Sequence, residues 1–201
     1  MSARPFTAEE YRAIINALRH LGRNRDRLMI EIGCATGFRI SELLSLRVAQ
    51  VWTQEGAATE VVVARRLLKG GHGVHRDSVR SRRVVLAPSI RDAIAEHLAA
   101  RFLEYGPEEL LFRSREGGNR AVCAAHVHRI IVSAAAAAHV DTHRVSTHSL
   151  RKTFAARVYA ATNRDLIKTQ RIIGHTNPMT TARYLETNQD DLDRIVLAAG
   201  G

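Results

Sequence analysis

Cysteine is scarce in this sequence of 201 residues, which holds only Cys34 and Cys123, far apart and outside any C-x-x-C spacing. This scarcity argues against a disulfide framework and predicts two buried, reduced thiols. Histidine is more common, but no spacing matches a familiar zinc site, including that of His126, His128, His139 and His143. We therefore expect no metal site.

Long apolar runs are also missing. The longest, from Ile130 to Val140, is too short and too rich in alanine to span a bilayer. The chain opens with Met1 to Pro5 and then a polar helix, a pattern unlike that of a signal peptide. These features predict a cytoplasmic protein. No internal repeat or linker is evident, so we expect one domain over residues 1–201.

Lysine is scarce, whereas arginine is abundant. Basic residues total 30 against 20 acidic ones, and the formal net charge is +10. Only Lys69, Lys152 and Lys168 among them are lysines. This balance favours a polyanionic partner, either nucleic acid or an anionic membrane surface. The guanidinium group of arginine can donate two parallel hydrogen bonds to phosphate oxygens, which suits a DNA backbone. A membrane-surface protein is disfavoured because no cationic amphipathic anchor is present. Compositional bias of the genome remains an alternative source of the charge.

The apolar spacing predicts a mainly helical protein, α+β in class, with a small antiparallel three-stranded sheet. Thr7 and Glu10 have capping-box spacing and predict a helix to about Leu21. A buried helix should follow over 26–34, break at Thr36-Gly37 and give way to a helix over 39–46. The later helices are expected at 89–103, 121–140, from Ser146 or Thr147, at 163–173, after Asn177-Pro178, and at 189–197.

The sheet is expected where β-branched residues cluster. Val61–Val63 and Val84–Leu86 predict two strands, and Val48–Trp52 predicts the third. The segment between the first two is rich in glycine and basic residues, from Lys69 to Arg83. It predicts a long, positively charged hairpin.

Three short segments carry residue types suited to chemistry at a phosphate. His148 and Arg151 share a helix face, because residues three apart are neighbours on a helix. Tyr184 follows His175 by nine residues, an arrangement that can place a nucleophile beside a polar partner. Arg39 begins a helix, with Glu42 one turn later. Each segment alone is weak evidence for function, because packing on the surface or in the core accounts for most such residues.

Together, these segments resemble the tyrosine recombinases, also called phage integrases. The family box T-G-x-R-x-[ST]-E-L is met at Thr36 to Leu43, and H-x-L-R-[HK]-[TS] at His148 to Thr153. The box L-G-H-x-x-x-x-T-x-x-Y is met from Ile173 to Tyr184, with Ile in place of Leu. Order, spacing and the intervening hairpin agree over about residues 5 to 198. The resemblance implies the helical catalytic domain of this family.

The resemblance implies that the protein is an enzyme for site-specific DNA recombination through a 3′-phosphotyrosyl intermediate, without a metal ion or other cofactor. Tyr184 is then the nucleophile and His148 its general base or proton relay. Arg39, Arg151 and His175 stabilise the transition state, while Glu42 supports Arg39. Lys69 protonates the leaving 5′-oxygen.

The hairpin departs from the family pattern because it is longer than usual. Lys69 takes the lysine role as the only lysine there, with His72 and His75 as rival proton donors. We also expect contacts with DNA from a set of basic residues in and around this hairpin and beside Arg151. They are Arg65, Arg66, His72, Arg80, Arg82 and Lys152.

The implied partner is double-stranded DNA, bound at the nucleoid by a homotetramer that assembles from monomers, and accessory DNA-bending proteins can take part. The usual N-terminal core-binding domain of the family has no counterpart in these residues, which predicts weaker and strongly salt-dependent binding. Residues 188–199 could pack on their own subunit or on a neighbour. Two alternatives remain: DNA relaxation like that of a type IB topoisomerase, and an inactive DNA-binding regulator on the same scaffold.

Overall fold

The computed structural model describes residues 3–63, 81–99 and 106–174, together with the single positions 179, 181, 182, 185 and 197. The chain divides into two compact units, Met1–Phe154 and Ala155–Gly201. The boundary falls inside a helix, and each unit is described by itself.

The described part of the first unit is mainly helical. Its helices are α1 (Ala8–His20), α2 (Asn24–Thr36), α3 (Ile40–Leu44), α4 (Val48–Val51), α5 (Pro88–Ala99), α6 (Ala124–Ala137) and the start of α7 (Thr147–Ala161). Its strands are β1 (Trp52–Thr53), β2 (Gly56–Ala57), β3 (Glu60–Val63) and β4 (Arg82–Val85). The helices predicted around residues 8–21, 26–34, 39–46 and from 147 are confirmed.

Helix α2 is the centre of the core, with contacts to α1, α3 and α5. Ten of its 13 residues are buried, so it is covered on all sides rather than on one stripe. Its buried Arg27 pairs with Glu96 at 2.6 Å and with Glu31 at 3.7 Å. Burial raises the pKa of Glu31 above its ordinary value, and the charge of Arg27 only partly opposes this shift.

The start of the chain is tied to α7. The predicted capping box forms: the Thr7 side chain accepts from the Glu10 backbone N–H, and the Glu10 carboxylate accepts from that of Thr7. Just before it, the Phe6 backbone N–H donates to the buried Thr153 hydroxyl at 2.8 Å. This bond joins the entry to α1 with the first turns of α7.

The sheet prediction is partly wrong. Strands β3 and β4 pair antiparallel as predicted, with Val63 opposite Arg82. However, 48–52 does not add a third strand, and the described residues contain two separate two-stranded sheets. The reason is that Val48 N–H and Ala49 N–H donate to the distant carbonyls of Glu109 and Pro107, and 48–51 closes into the short helix α4.

Several boundaries and one burial prediction also need correction. Helix α6 is shorter than the predicted 121–140, since it runs from Ala124 to Ala137. Helix α5 is described over Pro88–Ala99, and the last residues of the predicted 89–103 lie outside the described ranges. Cys34 is a buried free thiol, as predicted, but Cys123, at the N-cap position of α6, is exposed. No helix within the described ranges has the length and hydropathy needed to cross a membrane.

The second unit contains the rest of α7 and, after a turn, α8 (Leu166–Ile173). The predicted cap of α8, Asn163, is wrong. Asn163 has a positive φ of 53° and stays outside the helix, while the Asp165 side chain accepts from the Lys168 backbone N–H at 2.9 Å. The helices predicted after 177 and at 189–197 lie outside the described residues, apart from single positions.

Candidate active site

The turn between α2 and α3 shapes the candidate site. Gly37 ends α2 in the left-handed region, with φ of 60°, which glycine adopts without the steric cost of a Cβ. Here the chain leaves the helix and presents the carbonyls of Thr36 and Gly37 at its carboxyl end. These oxygens attract cations, because the last carbonyls of a helix carry partial negative charge.

Arg39 follows this turn and is held by Glu42. The fully buried Glu42 carboxylate accepts from the Arg39 backbone N–H at 2.9 Å and from Arg39 Nη1 at 2.7 Å. The Arg39 side chain is still 35% exposed. One edge of the guanidinium is therefore fixed while part of it remains accessible to an anion.

Arg151 reaches the same turn from α7. It is only 2% exposed, and its Nη1 donates to the Gly37 carbonyl. Helix α7 is held close by small residues: Leu150 lies against Gly33, and Phe154 lies against Gly37. The closeness of α2 and α7 is what places Arg151 beside the turn that precedes Arg39.

Arg82 adds a third guanidinium. Its Nη2 donates to the Thr36 carbonyl at 2.7 Å, and its Nη1 lies 3.4 Å from the Gly37 carbonyl and 3.7 Å from Glu42 Oε2. The group also stands over the buried Phe38 ring, 5.4 Å from its centroid. Arg82 thus joins strand β4 to the turn between α2 and α3.

The charges of this cluster are unbalanced. Arg39 and Arg82 lie within ion-pair distance of the buried Glu42 carboxylate, and Arg151 shares the Gly37 carbonyl with Arg82. Burial, followed by the charge of Arg151, lowers the pKa of Arg82 to about 10, and Glu42 opposes this shift. Arg82 therefore stays protonated at neutral pH, and the side chains of Arg39, Arg82, Arg151 and Glu42 together carry a formal charge of +2.

The two other predicted site residues within the described ranges differ in exposure. His148 lies in the first turn of α7, three residues before Arg151, and its side chain is exposed. Lys152, predicted to contact DNA, is buried at 4% exposure. The contact of Lys152 with DNA therefore stays a prediction.

The remaining predicted site residues lie outside the described part of the chain. These are the proposed nucleophile, the hairpin lysine, the second histidine and most of the predicted DNA-binding residues: Tyr184, Lys69, His175, Arg65, Arg66, His72 and Arg80. Their roles stay predictions. The structure brings together Arg39, Glu42 and Arg151, with the predicted DNA-binding residue Arg82 among them.

Two features of the site do not follow from the sequence motifs. The Gly37 carbonyl accepts from two guanidiniums, although the sequence at Thr36-Gly37 predicts only a helix break. Arg82 lies in the site, although the sequence predicts for it a contact with DNA. Strand alternation could have indicated the inward position of Arg82. Arg82 and Val84 lie on one face of β4, and their partners across the ladder, Val63 and Val61, are buried.

Comparison with known proteins gives one family. The chain matches the Phage integrase family over residues 4–191. It is 27% identical over 178 residues to the probable integrase/recombinase YoeC of Bacillus subtilis, covering 88% of this chain and 86% of YoeC. It is 31% identical over 172 residues to the tyrosine recombinase XerD of Caulobacter vibrioides, covering 84% of this chain and 51% of XerD.

A solved structure agrees on the fold. The XerH site-specific recombinase, bound to a palindromic difH substrate in a post-cleavage complex, superposes with a TM-score of 0.72. The match covers 99% of this chain and 53% of that one, at 23% identity. The predicted mainly helical fold class is thereby confirmed, and the chain spans about half the length of XerD and XerH.

Proposed function

The chain belongs to the phage integrase family, and on that premise we propose that it recombines DNA at specific sites, using Tyr184 as nucleophile. The observation that carries the proposal is the cluster of Arg39, Arg82 and Arg151 at the turn between α2 and α3, where the buried Glu42 pairs with the first two. Such a cluster suits a group whose negative charge increases during reaction. A phosphodiester under attack by an oxygen nucleophile is such a group.

In the proposed first step, the Tyr184 hydroxyl attacks the scissile phosphorus and gives its proton to His148. The bond from phosphorus to the 5′-oxygen breaks, and Lys69 supplies the proton that this oxygen needs. The product is a 3′-phosphotyrosyl bond and a free 5′-hydroxyl. A 5′-hydroxyl from a second strand then attacks this bond and releases Tyr184. Each step exchanges one phosphodiester for another, so no external energy source is required.

The described residues contribute charge and geometry to this reaction. Arg39 has one edge held by Glu42 and another accessible, so it can donate to a non-bridging oxygen without losing its orientation. Arg151 is oriented by the Gly37 carbonyl. His175 would donate a further hydrogen bond. Fixed donors stabilise the transition state because they need no reorganisation when charge develops.

The proposed partner is double-stranded DNA, bound by a tetramer that forms on paired sites from free monomers. The net charge of +10 supports DNA binding, and the similar XerH was solved with bound DNA. The tetrameric assembly, the accessory DNA-bending proteins and the location at the nucleoid are part of this proposal and rest on the resemblance to the family. If about four phosphates are contacted, raising salt from 50 to 200 mM should weaken binding roughly 100-fold.

The test is a covalent selection, because it works on any target sequence. The protein is incubated with a pool of nicked duplexes of randomised sequence, and DNA that survives denaturing washes on the protein is amplified over several rounds. We expect an enriched duplex that gives an adduct on a denaturing gel with the native protein and none with Tyr184→Phe. Tyr159→Phe, which removes a hydroxyl elsewhere, is the matched control and should retain the adduct.

An adduct that persists in Tyr184→Phe would overturn the proposed nucleophile. DNA binding without any adduct would favour the inactive regulator. The enriched duplex then separates the two enzymatic alternatives. Strand exchange between two labelled copies supports recombination, whereas relaxation of a supercoiled plasmid carrying the site, without exchange, supports a topoisomerase-like activity.

A further inference from the structure

Arg82 and Arg83 are neighbours on β4, yet they belong to different surroundings. The Arg82 side chain is 12% exposed and bonds to Thr36 and Gly37 at the turn before α3. Arg83 is 65% exposed and pairs with Glu60 across the other face of the sheet. Their opposite directions follow from strand geometry, in which successive side chains alternate between faces.

Inward placement changes what Arg82 can do. Both terminal nitrogens of Arg82 are directed at main-chain carbonyls of the turn, and the Phe38 ring and the Glu42 carboxylate lie beside them. Arg39 is about three times more exposed. Of these two guanidiniums, the one suited to reach an incoming phosphate is therefore that of Arg39.

Arg82 contacts the groups that orient both other guanidiniums. Glu42, which fixes Arg39, lies 3.7 Å from Arg82 Nη1. The Gly37 carbonyl, which receives Arg151, lies 3.4 Å from the same nitrogen. Arg82 also faces Val63 across the ladder, at the base of the segment that carries Lys69. The Arg82 side chain thus connects the end of the β3–β4 ladder with the Glu42 carboxylate and the Gly37 carbonyl.

We infer that Arg82 is a positioning residue for the strand-cleavage reaction: it holds Glu42 and the Gly37 carbonyl so that Arg39 and Arg151 meet the phosphate correctly. This inference rests on the proposed function. It replaces the direct DNA contact that the sequence suggested for Arg82. Removing Arg82 should lower the cleavage rate of bound DNA and leave the affinity for DNA largely unchanged.

The test uses the full chain and the duplex obtained from the covalent selection. Arg82→Met removes the charge, Arg82→Lys keeps it without the fork, and Arg83→Met is the matched control on the same strand. The rate of adduct formation is measured at saturating protein, and the dissociation constant is measured separately across salt concentrations. Misplacement of catalytic groups can cost on the order of 100-fold in rate, so we expect roughly 10- to 100-fold for Arg82→Met, less for Arg82→Lys, and no change for Arg83→Met.

A second substrate separates positioning from general damage to the protein. In a methylphosphonate, a methyl group replaces one non-bridging oxygen of the scissile phosphate, so the transition state carries less negative charge. If Arg82 acts by aligning guanidiniums with that charge, the rate lost by Arg82→Met should shrink to less than about 3-fold on this substrate. The ratio of the two losses is insensitive to the fraction of active protein.

Each outcome decides the inference. Equal losses on both substrates would mean a purely structural role and would overturn it, as would a rate within twofold of the native one. Weaker binding with a salt slope reduced by about one would instead show a direct phosphate contact. If Arg82→Met does not fold, Arg82→Lys decides by the same ratio, and unfolding of both would also show a structural role. If the native protein forms no adduct, the proposed function itself has failed.

Discussion

Replacing Gly37 with alanine tests how the turn at the candidate site is built. Two separate costs are expected. Gly37 has φ of 60°, and an L-residue in that conformation costs about 1–2 kcal/mol. A Cβ would also overlap Phe154 Cδ1 and lie 2.8 Å from Cγ of that ring. Forcing extra volume into a packed region costs about 1–3 kcal/mol, so the expected loss of stability is about 2–5 kcal/mol.

Gly22 provides the matched control. Its φ is 63°, nearly the same, and nothing lies within 4 Å of the position that a Cβ would take. Gly22→Ala should therefore cost only the backbone part, about 1–2 kcal/mol. The difference between the two variants measures the overlap with Phe154, because the backbone cost is common to both.

The free energy of unfolding would be measured by urea denaturation, with an unchanged slope required of each variant. Thermal melts should agree, since about 1 kcal/mol corresponds to roughly 2–4 °C in a chain of this size. A Phe154→Leu change combined with Gly37→Ala should recover part of the loss, and the two single variants complete the cycle. The reasoning fails if Gly37→Ala is no more destabilising than Gly22→Ala.

Three further predictions concern polar groups in the first unit. Thr153→Val should cost about 1–3 kcal/mol in urea denaturation because the Phe6 N–H loses its acceptor, while Thr153→Ser keeps the hydroxyl and should cost less. Glu42→Gln should destabilise by about 3–5 kcal/mol at pH 7, since Arg82 then lacks a carboxylate; stability equal to the native protein would contradict this. Burial raises the pKa of Glu31, so its charge opposes folding once the pH rises above the ordinary value of 4.5. Glu31→Gln should therefore be more stable than the native protein at pH 7 and should lose that advantage below about pH 4.5, as followed by urea denaturation at both pH values.

Local signals in the sequence predicted the helices well. The capping box at Thr7 and Glu10 acts within one turn, so it can be recognised without knowing the fold. The left-handed end of α2 at Gly37 was likewise signalled by a single residue. Where the deciding partner was distant, prediction failed. Val48 entered a helix rather than a strand because its N–H is taken by the Glu109 carbonyl, about sixty residues away.

The residues of the candidate site could largely be predicted from the sequence, but the contacts between them could not. The motif spacing identified Arg39, Glu42 and Arg151, and the structure brings them to one turn. The sequence favours a surface position for Arg82 because charged residues usually lie there. Its actual place depends on a carboxylate forty positions earlier, which is buried behind Arg39. Strand alternation indicated the face of Arg82, but only the fold supplies the partner that makes burial possible.

In the proposed reaction, the excess positive charge of the cluster explains the role of its one carboxylate. Without Glu42, burial and mutual repulsion among three guanidiniums would favour loss of a proton or separation of the side chains. One buried carboxylate reduces this repulsion while leaving two positive charges in excess. A phosphodiester carries one negative charge before attack and close to two in the transition state. A surplus of two therefore favours the transition state over the bound substrate, and that difference, rather than tight binding, is what accelerates a reaction.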